Sequence, residues 1–124
     1  MVALIGAYLV GNMDWGVVWQ DETYKVAWID FRDLMQVWRK LKDDGAIGRI
    51  GPEVVAVASD KNCLTARLHP NFRTVGNALE EFYYIDKVRD TDLLDGRQIA
   101  VGPIDKAAFE AAVAKLHLPR PVDF

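Results

Sequence analysis

The sequence predicts an α+β domain: a curved, mainly antiparallel sheet of five to seven strands with two amphipathic helices packed on it. Three observations carry that expectation. Short segments rich in β-branched and aromatic residues recur along the chain, separated by turn residues. Two other segments carry apolar residues at helical spacing. A chain of 124 residues suits one domain, residues 1–124, and is short for two.

Residues 2–10 are apolar at both parities, with Val2, Leu4, Tyr8 and Val10 on one face and Ala3, Ile5, Ala7 and Leu9 on the other. That pattern predicts a strand buried on both faces. Gly11-Asn12 marks a turn, Trp15 to Trp19 a short strand, Asp21-Glu22 a second turn, and residues 23–30 a further strand. Phe31, Leu34, Met35, Trp38 and Leu41 then line one face of a predicted helix over residues 31–44, with Asp30 as its cap and Gly45 as its stop. A glycine-rich loop at 45–51 leads to a second two-faced strand at 54–59. Asp60-Lys61-Asn62 suits a hairpin turn into a strand from Cys63 to His69, ended by Pro70. The stretch 71–77 has no clear period. Ala78 to Val88 predicts a strand around Phe82-Tyr83-Tyr84-Ile85, although Leu79, Phe82 and Tyr83 also suit a helix. Asp90 to Gly96 is a polar connection and Arg97 to Val101 a last strand. Pro103 and Asp105 open a second helix whose apolar line is Ala108, Phe109, Ala112, Val113 and Leu116. Lys115 and His117 complement the dipole at its end, and Pro119 and Pro121 stop it.

Composition narrows the function classes. Apolar residues at 51% and charged residues at 27% describe a globular chain rather than a disordered one. Fifteen basic and 18 acidic residues leave a net charge of −3, which gives no general attraction to nucleic acid or to an anionic membrane. The single cysteine, Cys63, has no internal disulfide partner. The apolar N-terminal run lacks a basic flank and is about half the length of a membrane span. The expectation is a cytoplasmic protein with neither nucleic acid nor membrane as a partner. Two-faced strands with only two helices to cover them leave a sheet face that must curl on itself, hold a ligand or pack on a partner. A homodimer is the expected solution.

The residues that suggest binding are aromatic and acidic. Trp15, Trp19 and Trp28 lie among Asp14, Asp21, Glu22 and Asp30, and Glu80 to Tyr84 repeat that chemistry. The candidate ligand-binding residues are therefore Trp15, Trp19, Trp28, Glu81, Tyr83 and Tyr84, because ring faces and carboxylates both attract a small organic cation. The plainer reading makes the rings core or interface residues and the acids turn residues. Cys63 and His69 are not a nucleophile–base pair, since six strand residues separate them by about 20 Å. Two histidines and one cysteine have no metal-ligand spacing, and Asp86, Asp90, Asp92 and Asp95 do not follow a calcium-loop pattern, so they read as a solvated acidic loop. The glycine loop follows a predicted helix instead of opening one, which is the wrong order for a phosphate cradle. Arg32, Arg39, Lys40 and Lys42, with Arg49, Arg67 and Arg73, are diluted by Asp43 and Asp44 and read as solvated charge. No catalytic residue, metal or cofactor is assigned. The resulting expectation is a non-enzymatic ligand-binding or protein-interaction module with an aromatic, acid-rimmed surface. Its alternative is a small enzyme with a carboxylate–tyrosine acid–base pair drawn from Glu80, Glu81 or Asp86 in a sheet cavity. A third reading is an acidic surface that masks a basic partner protein.

Overall fold

A computed structural model describes residues 15–29, 34–43, 45–69, 80–91, 94 and 96–124. Strands β1 (Trp15–Gln20), β2 (Tyr24–Ile29), β3 (Gln36–Lys40) and β4 (Ala46–Ile50) form an antiparallel meander. A second antiparallel sheet holds β5 (Val54–Ser59), β6 (Cys63–Leu68), β7 (Glu81–Asp86), β8 (Ala100–Ile104) and the short β9 (Val122–Asp123). Its order is β9-β5-β6-β7-β8. Helices α1 (Gly96–Ile99) and α2 (Lys106–Leu116) complete the described residues. The arrangement is mostly antiparallel with segregated helices, as an α+β domain should be, but the strands divide into sheets of four and five instead of one curved sheet.

The helix expected over 31–44 is the main correction. Gln36–Lys40 is a strand, with Val37 fully buried opposite Val26 and Ile50. Met35 packs on the same core, and Arg39 faces the same way, directly across from Tyr24. Trp38 lies on the other face, opposite Lys25, and its Nε1–H donates to the Ala27 carbonyl at 3.2 Å. Apolar side chains on both faces of a strand reproduce the i, i+3 spacing of a helix stripe. The strand expected at 97–101 is also revised: the chain forms α1 first and enters β8 only at Ala100. The strand expected at 2–10, the turn at Gly11-Asn12, the Asp30 cap, Phe31 and the stretch 71–77 lie outside the described residues.

One core joins the two sheets. Tyr24, Val26, Val37 and Ile50 of the first meet Val57, Leu64 and Ile85 of the second. Full burial of an aliphatic side chain contributes about 1.5–3 kcal/mol, so this shared layer dominates the packing energy. The N–H of Val54 also donates to the Met35 carbonyl at 3.0 Å, strapping one sheet to the other. A second apolar layer lies on the outer face of the five-stranded sheet, where Phe109 of α2 stacks on Phe82 with ring centroids 4.5 Å apart. The Asp105 carboxylate accepts the Ala108 N–H at 2.8 Å to start α2, and His117 ends it in the left-handed conformation. The five-stranded sheet thus has the other sheet on its inner face and α2 packed on its outer face at Phe82.

Candidate functional site

Among the described residues, two clusters bring buried or half-buried polar side chains together across the two sheets. The first centres on Asp90, at the end of the turn that follows β7. Arg49 of β4 reaches it with Nε at 3.0 and 3.1 Å from the two carboxylate oxygens and Nη2 at 2.9 Å. Both side chains are 0% exposed. The other Arg49 donors are also used: Nη1 bonds the Gly48 carbonyl at 3.2 Å and Nη2 the Thr91 carbonyl at 2.8 Å. The Tyr24 hydroxyl donates to Asp90 at 2.5 Å, and the Arg39 guanidinium stands 3.6 Å away. Burial, and then the hydrogen bond and charge of Asp90, push the Tyr24 phenol far above the ordinary tyrosine range. A charge buried this deeply survives only when paired and hydrogen-bonded, and here both conditions are met.

The second cluster joins turns of the two sheets. Asp21 accepts the N–H groups of Thr23 and Tyr24 at 2.8 and 2.7 Å, which shapes the β1–β2 turn. Its other oxygen accepts from the Ser59 hydroxyl at 2.7 Å and from Lys87 at 3.0 Å. Lys87 also donates to the Ser59 oxygen and to the Asp60 carbonyl. Burial works to raise the Asp21 carboxyl, but these hydrogen bonds outweigh it and hold the group below its usual value. Serine beside lysine suggests a nucleophile and its base. Lys87 Nζ, however, donates to three acceptors, one of them the Asp21 carboxylate, and the Ser59 hydroxyl gives its proton to that carboxylate and not to the lysine. The cluster is a clamp.

An open apolar surface lies elsewhere. A groove of about 560 Å3 runs between the outer face of the five-stranded sheet and the C-terminal end of α2. Cys63, Tyr84 and Leu118 line it, along with Val88, Val101 and Leu116, which are 81%, 41% and 46% exposed. Asp86 and Arg89 stand among its lining residues. Burial, then the charges of Asp60 and Asp86, raise the Cys63 thiol above its ordinary value, with Lys87 opposing them.

No protein-family model, curated protein or solved structure matches this chain.

The structure distributes the six residues expected to bind a ligand. Trp19 packs against the shared core, and Trp28 is half-buried with its ring laid on Gly16, its cross-strand partner, leaving no room there for a Cβ. Trp15 pairs with Ile29 in β1. Glu81 borders a separate cleft of about 540 Å3 at the start of α2. Tyr83 and Tyr84 are consecutive strand residues and so point to opposite faces. Tyr83 packs on the shared core and lines a cleft of about 430 Å3, its phenol raised by burial and then by Glu81. Gly102, at φ +148°, seats that ring: a Cβ would come within 2.6 Å of it and 2.7 Å of the Phe82 carbonyl. Tyr84 faces α2 and is the member of the six that lines the apolar groove.

Three readings of charged residues are corrected. Asp90, expected in a solvated acidic loop, is buried, whereas Asp86 is exposed as that reading requires. Arg49 is buried with Asp90, and Arg39 points inward instead of lying on the outer face of a helix. Cys63 begins β6 and His69 follows its end, too far apart to be partners. Sequence reasoning missed Arg49 and Asp90 as a pair and Val88, Val101 and Leu116 as a surface. Among the described residues no helix is long and apolar enough to cross a membrane.

Proposed function

We propose that this chain is a non-enzymatic interaction module that engages a protein partner through the apolar groove beside α2. The observation that carries the reading is the exposure of Val88, Val101 and Leu116 around one concavity. Single exposed apolar residues are ordinary, but several gathered at one groove mark an interaction surface. Its volume of about 560 Å3 accommodates large side chains of a partner. Tyr84 makes it aromatic, at a different place from the tryptophans, and its one carboxylate, Asp86, stands with one guanidinium, Arg89. The enzyme alternative needs a group with a proton or lone pair to offer a substrate. Of its candidates, Glu80 pairs with Arg67 at 3.3 Å, Asp86 accepts the Val88 N–H at 3.0 Å, and Glu81 and Tyr83 line separate clefts.

Nile red, a neutral apolar dye, tests the reading. Its fluorescence should rise on the wild-type protein, and a Val101→Ser/Leu116→Ser variant should lose most of that rise while keeping its circular dichroism spectrum. Equal dye binding by both proteins would overturn the groove as an interaction surface.

A further inference from the structure

We infer that Lys87 and Asp21 are positioning residues of the groove: their clamp holds the turn that carries Val88 and Arg89 in the shape a partner meets. The inference rests on the interaction reading above and adds what fixes its site. Neither residue lines the groove. Both lie in the cleft on the other side of Val88, which borders the two. One end of the groove is built from two turns, with Asn62 and Cys63 from the β5–β6 hairpin and Val88 and Arg89 from the turn after β7. Lys87 joins those turns. Its backbone N–H donates to the Asn62 carbonyl at 2.9 Å, and its ammonium to the Asp60 carbonyl at 2.7 Å. The same ammonium reaches Asp21 at 3.0 Å and Ser59, so the β1–β2 turn of the other sheet backs the pair. At the far end of the turn Asp90 is buried and held by Arg49 and Tyr24. Val88 and Arg89 are thus exposed residues between two anchored ones. An exposed apolar contact contributes most to binding when its shape is set beforehand, because its ordering cost then falls on folding and not on association.

The test titrates Nile red into the full chain, with urea unfolding of each variant alongside. Lys87→Met removes the ammonium. Asp21→Asn keeps an oxygen for the Thr23 and Tyr24 N–H groups but removes the charge that holds Lys87. The dye is neutral, so neither change acts on it through charge. Each variant should weaken dye binding by about two- to tenfold, the effect of leaving one or two side chains to be ordered on binding. The bound dye should also emit further to the red, because a loosened wall admits water. The double variant should bind no more than about twofold less tightly than the weaker single, since both act through one clamp. Lys87→Arg, which still offers donors to the same acceptors, should bind within about twofold of wild type. If Lys87→Met does not fold, Asp21→Asn decides. Lower urea midpoints with dye affinity and emission unchanged would make the clamp a stabilising contact alone and overturn the inference. Additive losses in the double variant, or Lys87→Arg binding as poorly as Lys87→Met, would overturn it too. The groove reading fails separately. A Val101→Ser/Leu116→Ser variant that binds the dye as wild type does overturns the groove and this inference with it, whereas loss of dye there, with Asp21→Asn unchanged, overturns the positioning role alone.

Discussion

Replacing Asp90 with alanine tests the architecture at its most exacting point. The substitution removes the acceptor of three Arg49 contacts, at 2.9, 3.0 and 3.1 Å, and of the Tyr24 hydroxyl at 2.5 Å. Arg49 would keep its charge in a place where its side chain has 0% exposure. Breaking a buried ion pair by removing one member costs about 3–5 kcal/mol, and a stranded buried hydroxyl about 1–3 kcal/mol. The two losses overlap, so a total of about 4–5 kcal/mol is expected, against about 5–15 kcal/mol of stability for a typical domain. With a urea dependence of about 2 kcal/mol per molar, the midpoint should fall by about 2 M. Equilibrium urea unfolding read by the fluorescence of the four tryptophans measures it. An Arg49→Met/Asp90→Leu double variant should recover at least about 2 kcal/mol relative to Asp90→Ala, because neither charge is then left alone. A midpoint within about 0.3 M of wild type, or a double variant as unstable as the sum of its singles, would refute the buried network.

Three further outcomes are expected. The folded Tyr24 phenol is raised above the value of 10.0 it has in an unfolded chain, by burial first and Asp90 second, so its contribution is full below about pH 10 and is lost as pH rises further. Tyr24→Phe should therefore show a flatter alkaline limb in urea midpoints, and an unchanged limb would count against the hydrogen bond. Asp105→Ala removes the cap of α2 and should cost about 1 kcal/mol, or about 4 °C in a thermal melt. Gly102→Ala places a Cβ against the Tyr83 ring at a φ of +148° and should cost about 1–3 kcal/mol in urea unfolding; a neutral result would mean that the β8 backbone can shift.

Elements whose pattern answers to near neighbours are legible in the sequence. The β5–β6 hairpin turns on consecutive residues, because Asp60 itself accepts the N–H groups of Asn62 and Cys63. Helix α2 carries its own cap, and Phe109 and Val113 stand one turn apart on the face that meets the sheet. Strand β3 has no such local signature. Its inward row is Met35, Val37 and Arg39, and the arginine is there because Asp90 waits for it on another element. Its outward row holds Trp38, covering Ala27 through the indole hydrogen bond. A strand with a charge inside and an indole outside breaks period-two alternation, and the remaining apolar residues fall into a helical spacing. The division into two sheets is equally non-local. Between β4 and β5 the chain passes Gly51 and Glu53, both at positive φ, and a turn there serves one sheet or two.

The candidate site was hidden for a related reason. Arg49 and Asp90 stand 41 positions apart, and each looks like a surface charge until its partner is known. Val88, Val101 and Leu116 come from a turn, a strand and a helix, so no period connects them. Leu116 nevertheless carries a legible clue. It belongs to the apolar line of α2, which is buried at Phe109, half-buried at Ala112 and Val113, and 46% exposed at Leu116. The stripe outruns the sheet it covers. Packing on Phe82 accounts for Phe109 but leaves the last apolar position of the helix beyond that contact. A leucine there, facing Val101 across a groove floored by Tyr84, has its apolar surface in water until something is laid over it, and burying that surface is the driving force a partner would use.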